Sequence, residues 1–139
     1  MLERAAAAVR SRLANRAPQI SVDAPFDLEI ADADREKLES VFGNLFENAV
    51  LATDRPVRVS CSARRADGKA VITVGDDGPG LPAEVRGRVF EPFVTSRPGG
   101  TGIGLAVCRQ IVQEHDGTIE VESREGGPTV FTVTLPATV

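Results

Sequence analysis

Tryptophan and tyrosine are absent from this 139-residue chain, and histidine occurs once, as His115. A lone histidine leaves a Ser-His-Asp triad or a histidine-based metal site almost no material. The two cysteines, Cys61 and Cys108, lack metal-ligand spacing. Each falls in an apolar pattern, one strand-like and one helix-like, and they read as buried free thiols of a reducing compartment. No apolar run approaches the ~20 residues of a membrane span, and no signal-peptide pattern is visible. Positive charge is not in excess: the net charge is −4, without the basic stripe of a nucleic-acid binder. What remains, 42% hydrophobic and 26% charged, is the composition of one ordinary globular domain. There is no internal repeat and no low-complexity segment.

Glycine, by contrast, is concentrated in one place. Gly99-Gly100-Thr101-Gly102-Ile103-Gly104-Leu105 runs directly into the helix-like Ala106–Val112. Alternating glycines suit a backbone that turns sharply and approaches something closely. Loop amides leading into a helix N-terminus form a seat for phosphate oxygens. A flexible glycine-rich turn is the plainer alternative. The spacing lacks the Gly-Lys-Ser/Thr of a P-loop, and the preceding Glu91–Pro98, with two prolines, cannot be the strand of a dinucleotide-binding fingerprint.

From the N-terminus, Leu2–Arg16 has good helix propensity and Pro18 ends it. Residues 1–18 are expected to be the end of a preceding helical region or a linker, and 19–139 the domain proper. Gln19–Asp23 and Asp27–Ile30 read as short strands. Asp32–Thr53 reads as an amphipathic helix, with Leu38, Val41, Phe42, Leu45, Ala49 and Ala52 along one stripe. Asn44 and Asn48 lie one turn apart on its shoulder, and Glu47 projects toward solvent. Asparagine is neutral to unfavourable inside a helix, so the pair is read either as capping a nearby loop or as functional.

Val57–Ala63 and Ala70–Val74 form a hairpin about Asp67-Gly68, and the second strand ends in Asp76-Asp77-Gly78-Pro79-Gly80. This is either an ordinary turn or a carboxylate fixed at a strand's end. Pro82–Val89 reads as a short helix. The long loop 90–101 carries Phe90, Phe93 and Arg97. His115-Asp116-Gly117 reads as a helix stop, with His115 as a terminal cation or surface residue. Strands at Ile119–Ser123 and Thr129–Leu135 flank a Gly126-Gly127-Pro128 turn.

In this order the motifs closely resemble the ATP-binding catalytic domain of two-component sensor histidine kinases, within the superfamily shared with DNA gyrase, Hsp90 and MutL ATPases. Asn44-Leu45-Phe46-Glu47-Asn48-Ala49 resembles the N box, and Val74–Gly80 the G1 box. Val89-Phe90-Glu91-Pro92-Phe93 resembles the F box, and Gly99–Ala106 the G2 box. Gly117–Ser123 and Phe131–Pro136 match the closing strands, so the resemblance spans residues 19 to 136. It implies an α/β (α+β) two-layer sandwich, the Bergerat ATP-binding fold, with a mixed sheet covered by helices on one face. The short lid, Thr95–Gly102, is similar to that of the nitrogen- and oxygen-sensing subgroup.

The resemblance also implies roles. Asp76 would accept a hydrogen bond from the adenine amino group, with Gly78 and Gly80 shaping its turn. Asn48 would ligate Mg²⁺ through its amide oxygen, a donor suited to that hard cation. Gly100, Thr101, Gly102, Ile103, Gly104 and Leu105 would hold the phosphates of ATP, and Arg97 would meet the terminal ones. Phe90 and Phe93 are expected to anchor the lid to the core. Asn44 stands where the ATP-hydrolysing relatives carry a water-activating glutamate, and Glu47 points elsewhere in helical phase, which favours phosphoryl transfer over hydrolysis. Leu51 stands where many relatives have Lys or Arg.

The implied partners are a phosphoacceptor histidine domain of the same kinase and a response regulator, with no nucleic acid and no membrane contact. A monomeric segment of a homodimeric, cytoplasmic or membrane-attached kinase is expected. Nothing resembles the phosphoacceptor helix, so this segment should bind ATP without phosphorylating itself. A serine kinase of the anti-sigma-factor type, or a degenerate relay module without kinase activity, are the alternatives.

Overall fold

In the computed structural model, residues 1–24, 30, 33–94 and 104–137 are described. Helix α1 (Leu2–Arg12) and a 3₁₀ turn (Ala14–Arg16) precede strand β1 (Gln19–Asp23) and the long helix α2 (Arg35–Leu51). Strands β2 (Arg58–Ala66) and β3 (Lys69–Asp76) form the hairpin, followed by the one-turn helix α3 (Ala83–Arg86). Helix α4 (Gly104–Glu114) and strands β4 (Thr118–Ser123) and β5 (Thr129–Pro136) complete the chain. The strand order is β1-β2-β3-β5-β4, with β1 parallel to β2 and the other pairs antiparallel.

Alternation along the strands decides which face is covered. Val59, Cys61 and Ala63 of β2 are buried, and Arg58, Ser60 and Ser62 between them are exposed. In register with the buried set lie Ile72 and Val74 of β3, then Val133 and Phe131 of β5. These side chains share one face, against which the helices pack; on the other, Ser62 and Thr73 exchange a 2.7 Å hydrogen bond in solvent. The expected two-layer arrangement, a mixed sheet with helices on one side, is therefore the observed one.

The hairpin turns at Asp67 (φ 53°) and Gly68 (φ 76°), both left-handed, as a type I′ turn between right-twisted strands requires. Helix α2 is shorter than its periodicity suggests. Asp34 caps it by accepting from the Lys37 N–H at 3.1 Å. Phe42, Phe46, Leu38 and Leu45 are completely enclosed. Burying each contributes about 1.5–3 kcal/mol, against at most about 0.7 kcal/mol by which each of Asn44 and Asn48 disfavours the helix. Packing wins, and the asparagines are carried along at the helix's edge.

Helix α1 stops at Arg12 rather than Arg16, tightening into the 3₁₀ turn before a left-handed Ala17 and Pro18. Its apolar stripe, Leu2, Ala5, Ala6 and Val9, belongs to the same core cluster as α2. Helix α1 thus packs against α2. Arg10 donates to the Ile20 carbonyl and Arg16 to the Thr53 carbonyl, each at 2.5 Å. Of the expected strand at 27–30, Ile30 alone lies among the described residues, where it bridges Ala137.

His115 is not the surface cation its position suggests. It is buried, its Nε2 accepting the Asp34 N–H at 2.9 Å and its Nδ1–H donating to the Ile111 carbonyl at 2.8 Å. That pairing defines a neutral ring protonated at Nδ1 and ties the end of α4 to the start of α2. No helix among the described residues is long and apolar enough to cross a membrane.

Both cysteines are free and buried, as expected, and burial pushes each thiol up from 9.0 to about 12. A rise of that size leaves about 1,000-fold less thiolate at neutral pH. Neither thiol should therefore react with a disulfide reagent until the domain unfolds, when both should react together. Immediate modification of the native protein would contradict this packing.

Candidate functional site

A cavity of about 510 Å³ opens at one end of the sheet's covered face, bounded by α2, the turn after β3, the β4–β5 turn and the start of α4. Its size suits a small-molecule ligand. Ala49, Ala52, Leu81, Val85, Val89 and Phe131 supply apolar wall, and Asn44, Asn48, Asp76 and Thr129 supply polar groups. Gly80, Gly104 and Leu105 also line it.

Asp76 is the last residue of β3, on the covered face, and Asp77 turns the other way. The Asp76 Oδ1 accepts the Gly78 N–H at 2.8 Å, which fixes the carboxylate plane; Asp76 lines the cavity, and its Oδ2 has no partner among the described residues. Burial raises the Asp76 pKa; the Gly78 N–H opposes the rise, Asp77 adds to it, and Arg55 opposes it. A side chain at Gly78 would press its Cβ to 2.8 Å from that Oδ1. The turn therefore needs glycine there to keep the acid in place. Asp77 accepts instead from the Arg58 N–H at 2.8 Å, and Arg55 donates to its carbonyl at 2.6 Å.

Asn44 and Asn48 both reach the cavity from α2. The Asn44 amide donates to the Ser40 carbonyl at 3.2 Å, and its Oδ1 faces Gly104, where a Cβ would stand 3.1 Å away. Glycine at 104 lets the start of α4 close against α2. Among the described residues nothing pairs with the Asn48 amide, although it is half-buried. Glu47 also borders the cavity, contrary to the expectation that it points elsewhere, but its carboxylate is held at 3.0 Å by Arg12 of α1.

Phe90 packs edge-to-face on Phe131, with ring centroids 6.2 Å apart, and so anchors its loop to the cavity wall. Phe93 does not: it is 76% exposed and has a left-handed backbone at φ 69°. The expectation that both aromatics anchor the loop holds for Phe90 only. Pro92, Phe93 and Val107 instead share a surface groove of about 470 Å³ with Arg109. Arg97, Gly100, Thr101, Gly102 and Ile103 lie outside the described residues.

Thr129 and Phe131 escaped the sequence reading. Thr129 is buried and stands directly across from Asp76 in the β3–β5 register, with Ser123 across from it in turn on β4. Only the register reveals that row. Asp76 and Thr129 are 53 positions apart, and a hydroxyl at a strand's first residue carries no signal by itself.

The cavity thus combines a carboxylate fixed beside apolar wall, an asparagine amide with no partner among the described residues, and the start of a helix opposite. Residues 33–139 match the family described as "Histidine kinase-, DNA gyrase B-, and HSP90-like ATPase". The chain is 42% identical over 139 residues to the C4-dicarboxylate transport sensor protein DctB of Rhizobium meliloti (strain 1021). The match covers 97% of this chain and 22% of that relative, so the chain corresponds to about a fifth of a longer sensor protein.

Among solved structures, the catalytic domain of histidine kinase ThkA superposes with a TM-score of 0.83 at 29% identity, covering 99% of this chain and 90% of that one. Full-length ShkA in complex with AMPPNP gives a TM-score of 0.84 at 29% identity, covering 99% of this chain and 30% of that one. ThkA in complex with response regulator protein TrrA gives 0.77 at 26% identity, covering 98% and 39%. The chain belongs to the histidine kinase-, DNA gyrase B- and HSP90-like ATPase family, and within it to the ATP-binding catalytic domains of sensor histidine kinases.

Proposed function

We propose that this domain binds Mg-ATP and donates its γ-phosphoryl group to a histidine on a separate dimerisation and phosphoacceptor domain, in two-component signalling. The observation that carries the reading is the Asp76 carboxylate, oriented by Gly78 with one oxygen left for the cavity. That oxygen accepts from the adenine amino group; guanine offers an acceptor at the same place and leaves both groups unpaired. Asn48, with no partner among the described residues, would hold Mg²⁺ through its amide oxygen. When bound, that cation would supply charge neutralisation at the phosphates. Gly104 and Leu105 open α4 beside the cavity and would hold the phosphates, a role the family resemblance extends to Gly100, Thr101, Gly102, Ile103 and Arg97.

The chemistry is transfer: an imidazole nitrogen bonds to the γ-phosphorus as the bond to the bridging oxygen breaks and ADP leaves. The position one turn before Asn48 is Asn44, which cannot deprotonate water, and the Glu47 carboxylate is engaged by Arg12. Both features disfavour hydrolysis. Phe93, 76% exposed, and Val107, 40% exposed, offer the apolar face on which a phosphoacceptor helix docks. A response regulator is the onward acceptor, as the solved pairing of ThkA with TrrA suggests. The domain works on the cytoplasmic side, where ATP is, as a monomeric unit of a homodimeric kinase.

Calorimetric titration with ADP and a non-hydrolysable ATP analogue, with and without Mg²⁺ and against the guanine counterparts, tests this reading. Adenine-selective binding, weakened without Mg²⁺ and in Asn48→Ala, is expected. No binding at millimolar nucleotide would overturn it.

A further inference from the structure

We infer that Ser123 is a positioning residue of this site, acting through Thr129 and Leu81, on which it sets a donor direction that ends in the cavity. The inference rests on the nucleotide-binding reading above. The Ser123 Oγ lies 2.8 Å from the Leu81 amide nitrogen and 2.9 Å from the Thr129 Oγ1. A backbone N–H only donates, so Ser123 accepts from Leu81. Its own proton then needs an acceptor, and among the described residues Thr129 Oγ1 is the group within reach.

With a ligand acceptor beside Thr129, Ser123 donating to Thr129 pairs every group in sequence, from Leu81 N–H to Ser123 to Thr129 to the ligand. The reverse direction would leave the Ser123 proton without a partner among the described residues and give the ligand no donor from Thr129. The Thr129 proton is thereby released toward an acceptor on whatever fills the cavity that Thr129 lines. A donor chain polarised in this way strengthens its last member.

The row is held by the sheet itself. Ser123 pairs with Thr129 across β4–β5, and Thr129 pairs with Asp76 across β3–β5, so acceptor and donor stand side by side on adjacent strands. Asp76 offers an acceptor to the ligand and Thr129 a donor. Leu81, a wall residue of the same cavity, is pinned by the same hydroxyl. Ser123 itself is not among the cavity-lining residues, which is why it acts through others.

The test is calorimetric titration of ADP and GDP into the whole chain as wild type, Ser123→Ala, Ser123→Thr, Thr129→Val and the Ser123→Ala/Thr129→Val double variant, with thermal melts alongside. Ser123→Ala should weaken ADP binding about tenfold and narrow the ADP-over-GDP preference. Ser123→Thr, which keeps the hydroxyl, should bind within about twofold of wild type. The double variant should bind no more weakly than Thr129→Val alone, because the serine works through the threonine. Wild-type ADP affinity and selectivity in Ser123→Ala, failure of Ser123→Thr to rescue, or fully additive losses would each overturn the inference. A wild type that binds no ADP would instead sink the functional reading beneath it.

Discussion

Asp76→Asn should lower ADP affinity on the order of 100-fold and yet leave the domain at least as stable as wild type at pH 7. The two effects have one cause. Asn can keep the Gly78 N–H bond through its Oδ1. It then turns an NH₂ group toward the cavity, where the carboxylate had offered an oxygen. A ligand amino group meets a donor instead of an acceptor, and the loss is that of a buried unpaired group.

Stability moves the other way because burial raises the Asp76 pKa above its ordinary 3.8. The folded state therefore holds this proton more tightly than the unfolded chain. The group's contribution to stability is full below 3.8 and is lost as pH rises through the interval up to the raised folded value. Above that interval the native protein carries an unfavourably placed charge that asparagine lacks. The Asp76→Asn advantage in thermal midpoint should accordingly be present at pH 7 and shrink toward pH 4. A variant that binds ADP like wild type would refute the acceptor role; one that melts well below wild type at pH 7 would refute the desolvation argument.

The contrast between Asp76 and Thr129 shows what the chain discloses in linear form. Asp76 is legible because its partners are local: a strand before it, glycines at fixed spacing after it, and a turn that those glycines permit. Asn44 and Asn48 are legible for a similar reason, since helical period alone sets them together. Thr129, Ser123 and Phe131 reach the site through pairing between strands distant in sequence, and register between such strands is a tertiary outcome. His115 misleads for a related reason. A helix-terminal histidine is ordinarily a solvent cation, and only the return of α2 beside α4 supplies the Asp34 N–H that makes it a buried acceptor. The apolar period runs past α2 at both ends; the Asp34 cap sets its start, and Ala52 closes its end with a backbone bond to the Ala49 carbonyl.

Gly80→Ala should cost the domain about 3–5 kcal/mol and lower its melting temperature by about 10 °C or more, a larger loss than its φ of 78° alone explains. A left-handed backbone at a residue with a Cβ costs about 1–2 kcal/mol. At Gly80 that Cβ would also fall on the Arg124 carbonyl oxygen and stand 2.7 Å from the Gly127 nitrogen. Both are backbone atoms of the β4–β5 turn, so no side-chain rotation relieves the overlap. Gly127 meets the same constraint from the opposite side, where a Cβ would fall on the Gly78 carbonyl oxygen.

The two turns are thus interlocked through paired glycines, and the Asp76 turn keeps its position because the β4–β5 turn lies against it. Gly126 is the control: its φ is 86°, but an added Cβ meets nothing within 4 Å. Gly126→Ala should show the backbone strain alone, about 1–2 kcal/mol. Because Leu81, Glu125 and Thr129 flank the interlock and line the cavity, Gly80→Ala should also lose ADP binding well below its melting temperature, whereas Gly126→Ala should retain it. Equal melting temperatures for the two variants would mean that the turns yield freely, and the rigidity assigned to the Asp76 carboxylate would then have to come from Gly78 alone.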